Sequence, residues 1–325
     1  MSLAPVLEVK DLRVEFPTRR GTLVAVDGVS FSIAPGEVLG VVGESGAGKS
    51  LTGTAVIGLI ERPGRIAGGE IRLEGERIDH LAGEKMRRIR GRRIGAIFQD
   101  PLTSLNPLYT IGQQLVETIR VHLALDAAGA RRRALDLLRD VGIPAPDARI
   151  DHYPHQFSGG MRQRVVIALA LCAEPRLVIA DEPTTALDVS IQAQIIQLLK
   201  RLAAERGTAV MLITHDMGVI AETAHRVAVM YAGRVAEIGP VRDVLQHARH
   251  PYTVGLMGSI PKIRDAAEHG RTRLVQIEGA MPRLTAIPSG CAFHPRCGKS
   301  FDRCRAERPE PRATGPNLTA CWLYD

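Results

Sequence analysis

Alternating and continuous runs of apolar residues divide the chain into short elements. Residues 6–16 and 28–33 alternate apolar and polar positions, which predicts strands of a half-exposed antiparallel sheet. Wholly apolar runs predict buried strands, and these runs lie at 38–42, 94–98, 177–180 and 209–214. A further strand is expected at 70–78, a closing hairpin at 227–230 and 234–238, and helical patterns at 51–60, 101–173 and 191–205.

This alternation of strands and helices predicts an α/β fold. After Gly239 the pattern changes, because prolines become frequent and four of the five cysteines crowd the last 35 residues. We therefore expect one domain at residues 1–240, with a helical part at about 101–173, and a small cysteine-containing domain at 241–325.

Composition and net charge exclude some classes of protein but do not identify the function. The chain has 325 residues, 45% of them hydrophobic, and a net charge of +7. No run approaches the roughly 20 apolar residues that span a bilayer, and the first residues lack the order of a secretory signal, so a cytosolic location is expected. Basic stretches at 87–93 and 131–133 lack an aromatic platform; they are interpreted as solvated faces, and no nucleic-acid partner is expected.

A glycine-rich loop follows the apolar run 38–42 and opens a helix. Its sequence, Gly43-Glu44-Ser45-Gly46-Ala47-Gly48-Lys49-Ser50 and then Leu51, matches the phosphate-binding P-loop. Glycines let backbone N–H groups approach phosphate, and the helix N-terminus favours its negative charge. Lys49 is expected to contact the β- and γ-phosphates of ATP, and the Ser50 hydroxyl to bind Mg²⁺.

An acidic pair ends another apolar run. Asp181 and Glu182 follow residues 177–180, which places them at the C-terminal edge of a parallel sheet. Asp181 is expected to hold Mg²⁺, and Glu182 to polarise the attacking water.

Between the P-loop and the acidic pair lies Phe157-Ser158-Gly159-Gly160-Met161. Together with the P-loop, this segment resembles the signature of ABC transporter ATP-binding subunits, usually written LSGGQ, from which Phe157 and Met161 depart. The serine and glycines precede a helical stretch, so they form a second anion-binding helix N-terminus. The resemblance covers about residues 6–240 and implies a RecA-like core with antiparallel β and helical subdomains. It also implies ATP shared between one subunit's P-loop and another's signature.

Other residues match the family in chain order. Gln99 is similar to the Q-loop glutamine that contacts Mg²⁺, Ala186-Leu187-Asp188 to the D-loop, and His215 to the switch histidine at the γ-phosphate. The resemblance also makes Phe16 a candidate for stacking on adenine.

Two further segments, 99–107 and 250–253, together with the cysteines, resemble the ATPases of bacterial dipeptide and oligopeptide importers. The resemblance implies a second, related ATPase subunit, two membrane permeases and an extracytoplasmic binding protein, at the cytoplasmic face of the inner membrane. The open alternatives are an importer for nickel or another small solute, and a soluble ABC ATPase acting on nucleic acid.

Four cysteines, Cys291, Cys297, Cys304 and Cys321, stand at irregular spacing. Disulfides are disfavoured in the cytosol, and the paired knuckles of zinc sites are absent. A 4Fe–4S cluster is expected, with zinc and unmetallated thiols as alternatives; the resemblance implies the same cluster. Its role is open between a structural staple and a redox or iron sensor. Cys172, on an apolar helix, is expected to be a packing residue.

Overall fold

The computed structural model describes residues 4–184, 188–260 and 276–325. The strands are β1 (Leu7–Thr18), β2 (Gly21–Ile33), β3 (Val38–Val42), β4 (Arg65–Leu73), β5 (Glu76–Arg77), β6 (Ile94–Ile97), β7 (Leu177–Asp181), β8 (Ala209–Ile213), β9 (Arg226–Tyr231), β10 (Arg234–Pro240), β11 (Arg312–Thr314) and β12 (Asn317–Thr319). The helices are α1 (Lys49–Val56), α2 (Gly83–Ile89), α3 (Pro101–Ser104), α4 (Ile111–His122), α5 (Ala127–Asp140), α6 (Pro146–Arg149), α7 (Gly159–Leu171), α8 (Val189–Arg206), α9 (Met217–Thr223), α10 (Val241–Gln246), α11 (Pro251–Gly258) and α12 (Asp302–Ala306). Short 3-10 turns lie at Pro154–Gln156, His294–Arg296 and Trp322–Tyr324.

A four-stranded antiparallel sheet in the order β2-β1-β4-β5 confirms the strands expected at the N-terminus. Alternate apolar positions of β1, such as Leu7 and Val9, are buried, as period-two alternation requires. The strand expected at 70–78 is instead two strands. Glu74 and Gly75 between them both have positive φ, 50° and 83°, which turns the chain into a tight hairpin.

The central sheet has eight strands in the order β11-β12-β10-β9-β3-β8-β7-β6. Strands β9, β3, β8, β7 and β6 run parallel, and most of their residues are buried, which accounts for their continuous apolar runs. Because parallel strands end at the same edge, the segments that follow β3, β6, β7 and β8 meet there.

The C-terminal hairpin extends this central sheet. Strand β12 pairs with β10 through Glu237 with Thr319 and Ile238 with Leu318, and β11 pairs with β12. The structure therefore does not confirm a separate cysteine-containing domain, because the last strands belong to the central sheet. The boundary at residue 240 stays a prediction.

Residues 101–173 hold five helices, α3 to α7, as the helical pattern predicts. Buried side chains of α4, α5 and α7, among them Leu115, Leu138 and Val165, join one apolar core with the central sheet. In the described residues no helix has the length and apolar character needed to cross a bilayer.

Candidate functional site

The glycine-rich loop connects β3 to α1 in the strand–loop–helix order that the sequence predicts. Gly43 has φ 149°, and a Cβ there would lie 2.3 Å from the backbone oxygen of Met230. Gly48 has φ 98°, and a Cβ there would lie 3.0 Å from the backbone oxygen of Ala25. Both positions therefore require glycine, because the loop is pressed against neighbouring backbone and adopts a conformation that side chains oppose.

Lys49 begins α1 and is almost fully buried, with 7% of its surface exposed. Its Nζ donates to the backbone oxygens of Gly43 at 2.8 Å and Glu44 at 2.9 Å, so the side chain curls back over the loop. Burial lowers the pKa of Lys49, although the nearby carboxylates of Glu182 and Asp181 oppose that shift. Among the described residues no side chain caps α1, which leaves its first N–H groups to a bound anion.

Asp181 ends β7 beside the start of α1. Its Oδ1 accepts a hydrogen bond of 3.0 Å from the Ser50 hydroxyl. Burial raises the pKa of Asp181, the bond from Ser50 opposes this, and the negative charge of Glu182 adds to it. A carboxylate and a hydroxyl oxygen at this distance suit Mg²⁺, which prefers oxygen ligands and keeps several waters.

Glu182 has a left-handed backbone conformation, with φ 47°, that non-glycine residues seldom adopt. Its N–H donates to the backbone oxygen of Ile213 at 2.8 Å, which ties it to the end of β8. Gln99 Nε2 donates to Glu182 Oε2 at 3.0 Å, and His215 Nδ1 lies 3.2 Å from Oε1. The carboxylate of the expected base, Glu182, therefore contacts both the expected Q-loop glutamine and the expected switch histidine. Gln99 bonds to this carboxylate rather than to Asp181, with which it was expected to share Mg²⁺.

Most of these residues, although not Asp181, line one open pocket of about 630 Å³. Its lining comprises residues 43–51, Ala25, Gln99, Glu182 and His215, together with Leu284 from the C-terminal region. Phe16 is not among the lining residues. Its ring packs against Gly64, where a Cβ would lie 2.5 Å from Phe16 Cε1, so its contact with adenine stays a prediction.

The signature segment forms a second helix N-terminus away from this pocket. Ser158 is the N-cap of α7, and its Oγ accepts from the Met161 N–H at 3.3 Å. Ser158 and Gly159 are exposed, whereas Phe157 is buried and Met161 half-buried. Phe157 is therefore packed in protein and Ser158 and Gly159 face outward, whereas Gly160 and Met161 are both half-buried.

The expected D-loop is described only in part. Ala186 and Leu187 lie outside the described residues, whereas Asp188 is the N-cap of α8 and its backbone oxygen accepts from the Gln192 N–H at 2.8 Å.

The four C-terminal cysteines line one small pocket with His250 and Phe293. All four are free thiols, and burial raises the pKa of Cys291 to about 11. In the described residues, however, no group of three or more His, Cys, Asp or Glu side chains is arranged to hold a metal. A shared lining is a looser condition than ligand geometry, so the expected iron–sulfur cluster is not supported by the side-chain positions.

Sequence reasoning missed the residues that hold Glu44. The Arg296 guanidinium forms a salt bridge with the Glu44 carboxylate, and the Tyr252 hydroxyl accepts from the Glu44 N–H. Tyr252 lies in the 250–253 segment that the family resemblance uses. Arg296 carries no signal beyond its place next to Cys297.

Comparisons with known proteins identify the family of this chain. The family profile described as ABC transporter matches residues 26–185, and that described as oligopeptide/dipeptide transporter, C-terminal region, matches residues 236–304. A putative peptide import ATP-binding protein of Brucella melitensis is 50% identical over 95% of this chain and 94% of its own. The dipeptide transport ATP-binding protein DppD of Escherichia coli is 47% identical over 94% of this chain and 92% of its own. A dimeric ATP-binding cassette solved in a post-hydrolysis state with ADP and phosphate has a TM-score of 0.65 at 29% identity, covering 73% of this chain and 99% of that one.

Proposed function

This chain belongs to the ATP-binding subunits of ABC transporters, and on that premise we propose that it hydrolyses ATP to drive uptake of dipeptides and oligopeptides. The convergence of Gln99, Glu182 and His215 beside the P-loop carries the hydrolytic part of this proposal. The peptide substrate rests on the names of the relatives and on the C-terminal family match.

We assign a role in ATP binding or hydrolysis to each polar side chain described at the site. Lys49 and the backbone N–H groups of residues 43–51 bind the phosphates, and His215 contacts the γ-phosphate. Ser50, Asp181 and Gln99 would hold Mg²⁺, which would supply positive charge to offset the negative charge of the phosphates. Glu182 accepts the proton of the attacking water, because its carboxylate is held by Gln99 and His215 at the end of β7.

The site is shared between two subunits in this proposal. Ser158, Gly159, Gly160 and Met161 of this chain close over the P-loop of a second, related ATPase, and Asp188 lies at the same interface. In the described part of the chain, Ser158 is the only side chain that caps this helix N-terminus, and its exposure to solvent supports this arrangement. Phe16 stacks on adenine.

The membrane partners are two permeases, fed by an extracytoplasmic binding protein, with this chain at the cytoplasmic face of the membrane. Apolar side chains exposed near Gln99 support a permease contact: Phe98 is 43% exposed, Leu108 79% and Tyr109 50%. We assign this contact to a helical subdomain at 101–173 of a 1–240 ATPase domain, followed by a C-terminal domain at 241–325.

The Glu182→Gln variant tests the ATPase assignment. Loss of the base is expected to slow hydrolysis at least about a hundredfold, because general bases contribute that much or more. ATP binding is expected to remain, so that a closed, ATP-loaded assembly accumulates. Glu205→Gln, at an exposed carboxylate of α8, is the control. A Glu182→Gln enzyme that turns over at the normal rate contradicts the assignment.

The transported solute is tested by co-purification and uptake. We expect the chain to co-purify with membrane subunits, and labelled dipeptide uptake to depend on it. Nickel uptake with no peptide uptake would favour the alternative importer, and co-purification with nucleic acid would favour the soluble ATPase.

We also propose that Cys291, Cys297, Cys304 and Cys321 bind a 4Fe–4S cluster that staples the C-terminal region. The observation behind this proposal is that four free cysteines line one small pocket, although their side chains are not arranged as metal ligands. Anaerobically purified protein is expected to contain about four irons per chain and to absorb in the iron–sulfur charge-transfer band, and Cys297→Ser to lose both. A colourless protein with stoichiometric zinc, or with no metal, contradicts it.

A further inference from the structure

Glu44 is a P-loop residue that side chains of the C-terminal region, residues 241–325, contact directly. We propose that Arg296 is a positioning residue for nucleotide binding: through a bidentate salt bridge it neutralises the Glu44 carboxylate and keeps it turned away from the phosphates. The C-terminal region would then set the affinity for ATP. This inference rests on the proposed role of the P-loop.

The salt bridge has the geometry of a strong pair. Arg296 Nη1 donates to Glu44 Oε2 at 2.8 Å, and Nη2 donates to Oε1 at 3.0 Å. The Arg296 side chain is 7% exposed and that of Glu44 27%. Arg296 Nε also donates to the backbone oxygen of Glu278 at 2.8 Å, which fixes the plane of the guanidinium. A planar fork held on three sides orients a carboxylate in a way that a lysine cannot.

Tyr252 holds the backbone of the same residue. Its hydroxyl accepts from the Glu44 N–H at 2.9 Å, and its side chain is fully buried. The ring packs against Tyr231, with centroids 4.7 Å apart, and against Phe293, 5.4 Å apart. The backbone of Glu44 is therefore anchored to a buried aromatic cluster made partly by the C-terminal region.

Glu44 also touches the phosphate-binding lysine. Lys49 Nζ donates to its backbone oxygen at 2.9 Å, so a shift of Glu44 would move a direct partner of Lys49. Leu284, from the same C-terminal region as Arg296, lines the pocket as well. The C-terminal region thus reaches the ATP site at two places.

Electrostatics gives the contact its effect on affinity. A carboxylate beside a polyphosphate repels it, and the repulsion is strong where water is partly excluded. Arg296 neutralises Glu44 and turns its oxygens toward the C-terminal region. Without Arg296, the negative charge of Glu44 would oppose ATP while leaving Glu182 and its partners unchanged.

The experiment measures the equilibrium Kd for Mg·ATP with the full-length chain, and kcat and KM with the assembled transporter. Arg296→Gln is expected to raise Kd and KM about tenfold, equal to about 1.4 kcal/mol, and to change kcat less than about twofold. Arg296→Lys, which keeps the charge but loses the fork, is expected to have an intermediate effect.

The double variant separates neutralisation of the Glu44 charge from a purely structural role of Arg296. If Arg296 acts by neutralising Glu44, Glu44→Gln combined with Arg296→Gln is expected to restore the Kd to within about threefold of the unchanged chain. Arg303→Gln is the matched control, since Arg303 pairs with Glu307 in the C-terminal region and does not contact the P-loop.

Three results would overturn the inference: an unchanged Kd in Arg296→Gln, a loss confined to thermal stability, or a double variant as weak as the single one. If Arg296→Gln does not fold, Arg296→Lys and the double variant decide the question in the same way. Lys49→Ala is run alongside. If it still binds ATP, the proposed P-loop role fails; if it loses ATP while Arg296→Gln binds normally, only the present inference fails.

Discussion

The two helix N-termini that we propose to bind phosphate, at α1 and α7, are built in different ways. At α1 the N-cap is Gly48 in a left-handed conformation, the first helical residue is the buried Lys49, and Asp181 lies next to Ser50. At α7 the N-cap is Ser158 in an extended conformation, and its own hydroxyl satisfies a helix N–H. The first end collects its charged partners within the chain, whereas the second is exposed. This difference is what we would expect if α7 completes a site on another subunit, as proposed above.

Removing the charge at α1 is expected to have the largest effect. Lys49→Ala deletes the buried cation that contacts the phosphates, so hydrolysis is expected to fall at least about a hundredfold and ATP affinity to fall with it. Lys200→Ala, at an exposed lysine on α8, is the control. Normal ATP binding by Lys49→Ala would contradict this comparison, because ATP binding would then not depend on the charge at the N-terminus of α1.

Glycine substitutions test how tightly each end is packed. A Cβ at Gly43 would lie 2.3 Å from a backbone oxygen that cannot move freely, at a φ of 149°. A Cβ at Gly160 would lie 2.8 Å from Ile191 Cγ2, a side-chain atom rather than backbone, and Gly160 does not have a left-handed φ. We expect Gly43→Ala to cost about 2–4 kcal/mol in the free energy of unfolding and Gly160→Ala about 1 kcal/mol. Chemical denaturation measures both, and equal costs would contradict the contrast.

The serine cap of α7 separates stability from function. Ser158→Ala is expected to cost about 1 kcal/mol in unfolding free energy, as is Asp126→Ala, which removes the exposed N-cap of α5. Only Ser158→Ala is expected to slow hydrolysis by the assembled transporter, by about tenfold, while leaving ATP binding by the isolated chain unchanged. If both variants slow hydrolysis equally, the effect comes from stability, and α7 has no special role.

The core of this site could be predicted because it depends on local sequence. A buried strand, a glycine loop and a helix place Lys49 and Ser50 without knowledge of distant contacts, and the apolar run before Asp181 places the carboxylate at the sheet edge. The contact of Arg296 with Glu44 joins residues 252 positions apart, and no local pattern encodes it. The pairing of β12 with β10 also escapes prediction, because a strand of three residues has too few positions to show a period. The positions of the four thiols depend on side-chain geometry, which spacing alone does not determine.

Labelling of Cys172, at the C-terminal end of α7, measures whether that end of the helix stays packed in the folded chain. It is 1% exposed, and burial raises the pKa of its thiol to about 11, which leaves about one thiolate in a thousand at pH 8. We expect iodoacetamide to leave Cys172 unmodified in the folded chain at pH 8 and to modify it promptly in denaturant, as followed by peptide mass spectrometry. Because the raised pKa disfavours the thiolate, the slow labelling of Cys172 in the folded chain should become faster as the pH rises from 8 to 10. Rapid labelling of the folded chain would mean that all of α7 opens, so that the exposure of Ser158 would reflect a loose helix rather than a surface kept open for a partner.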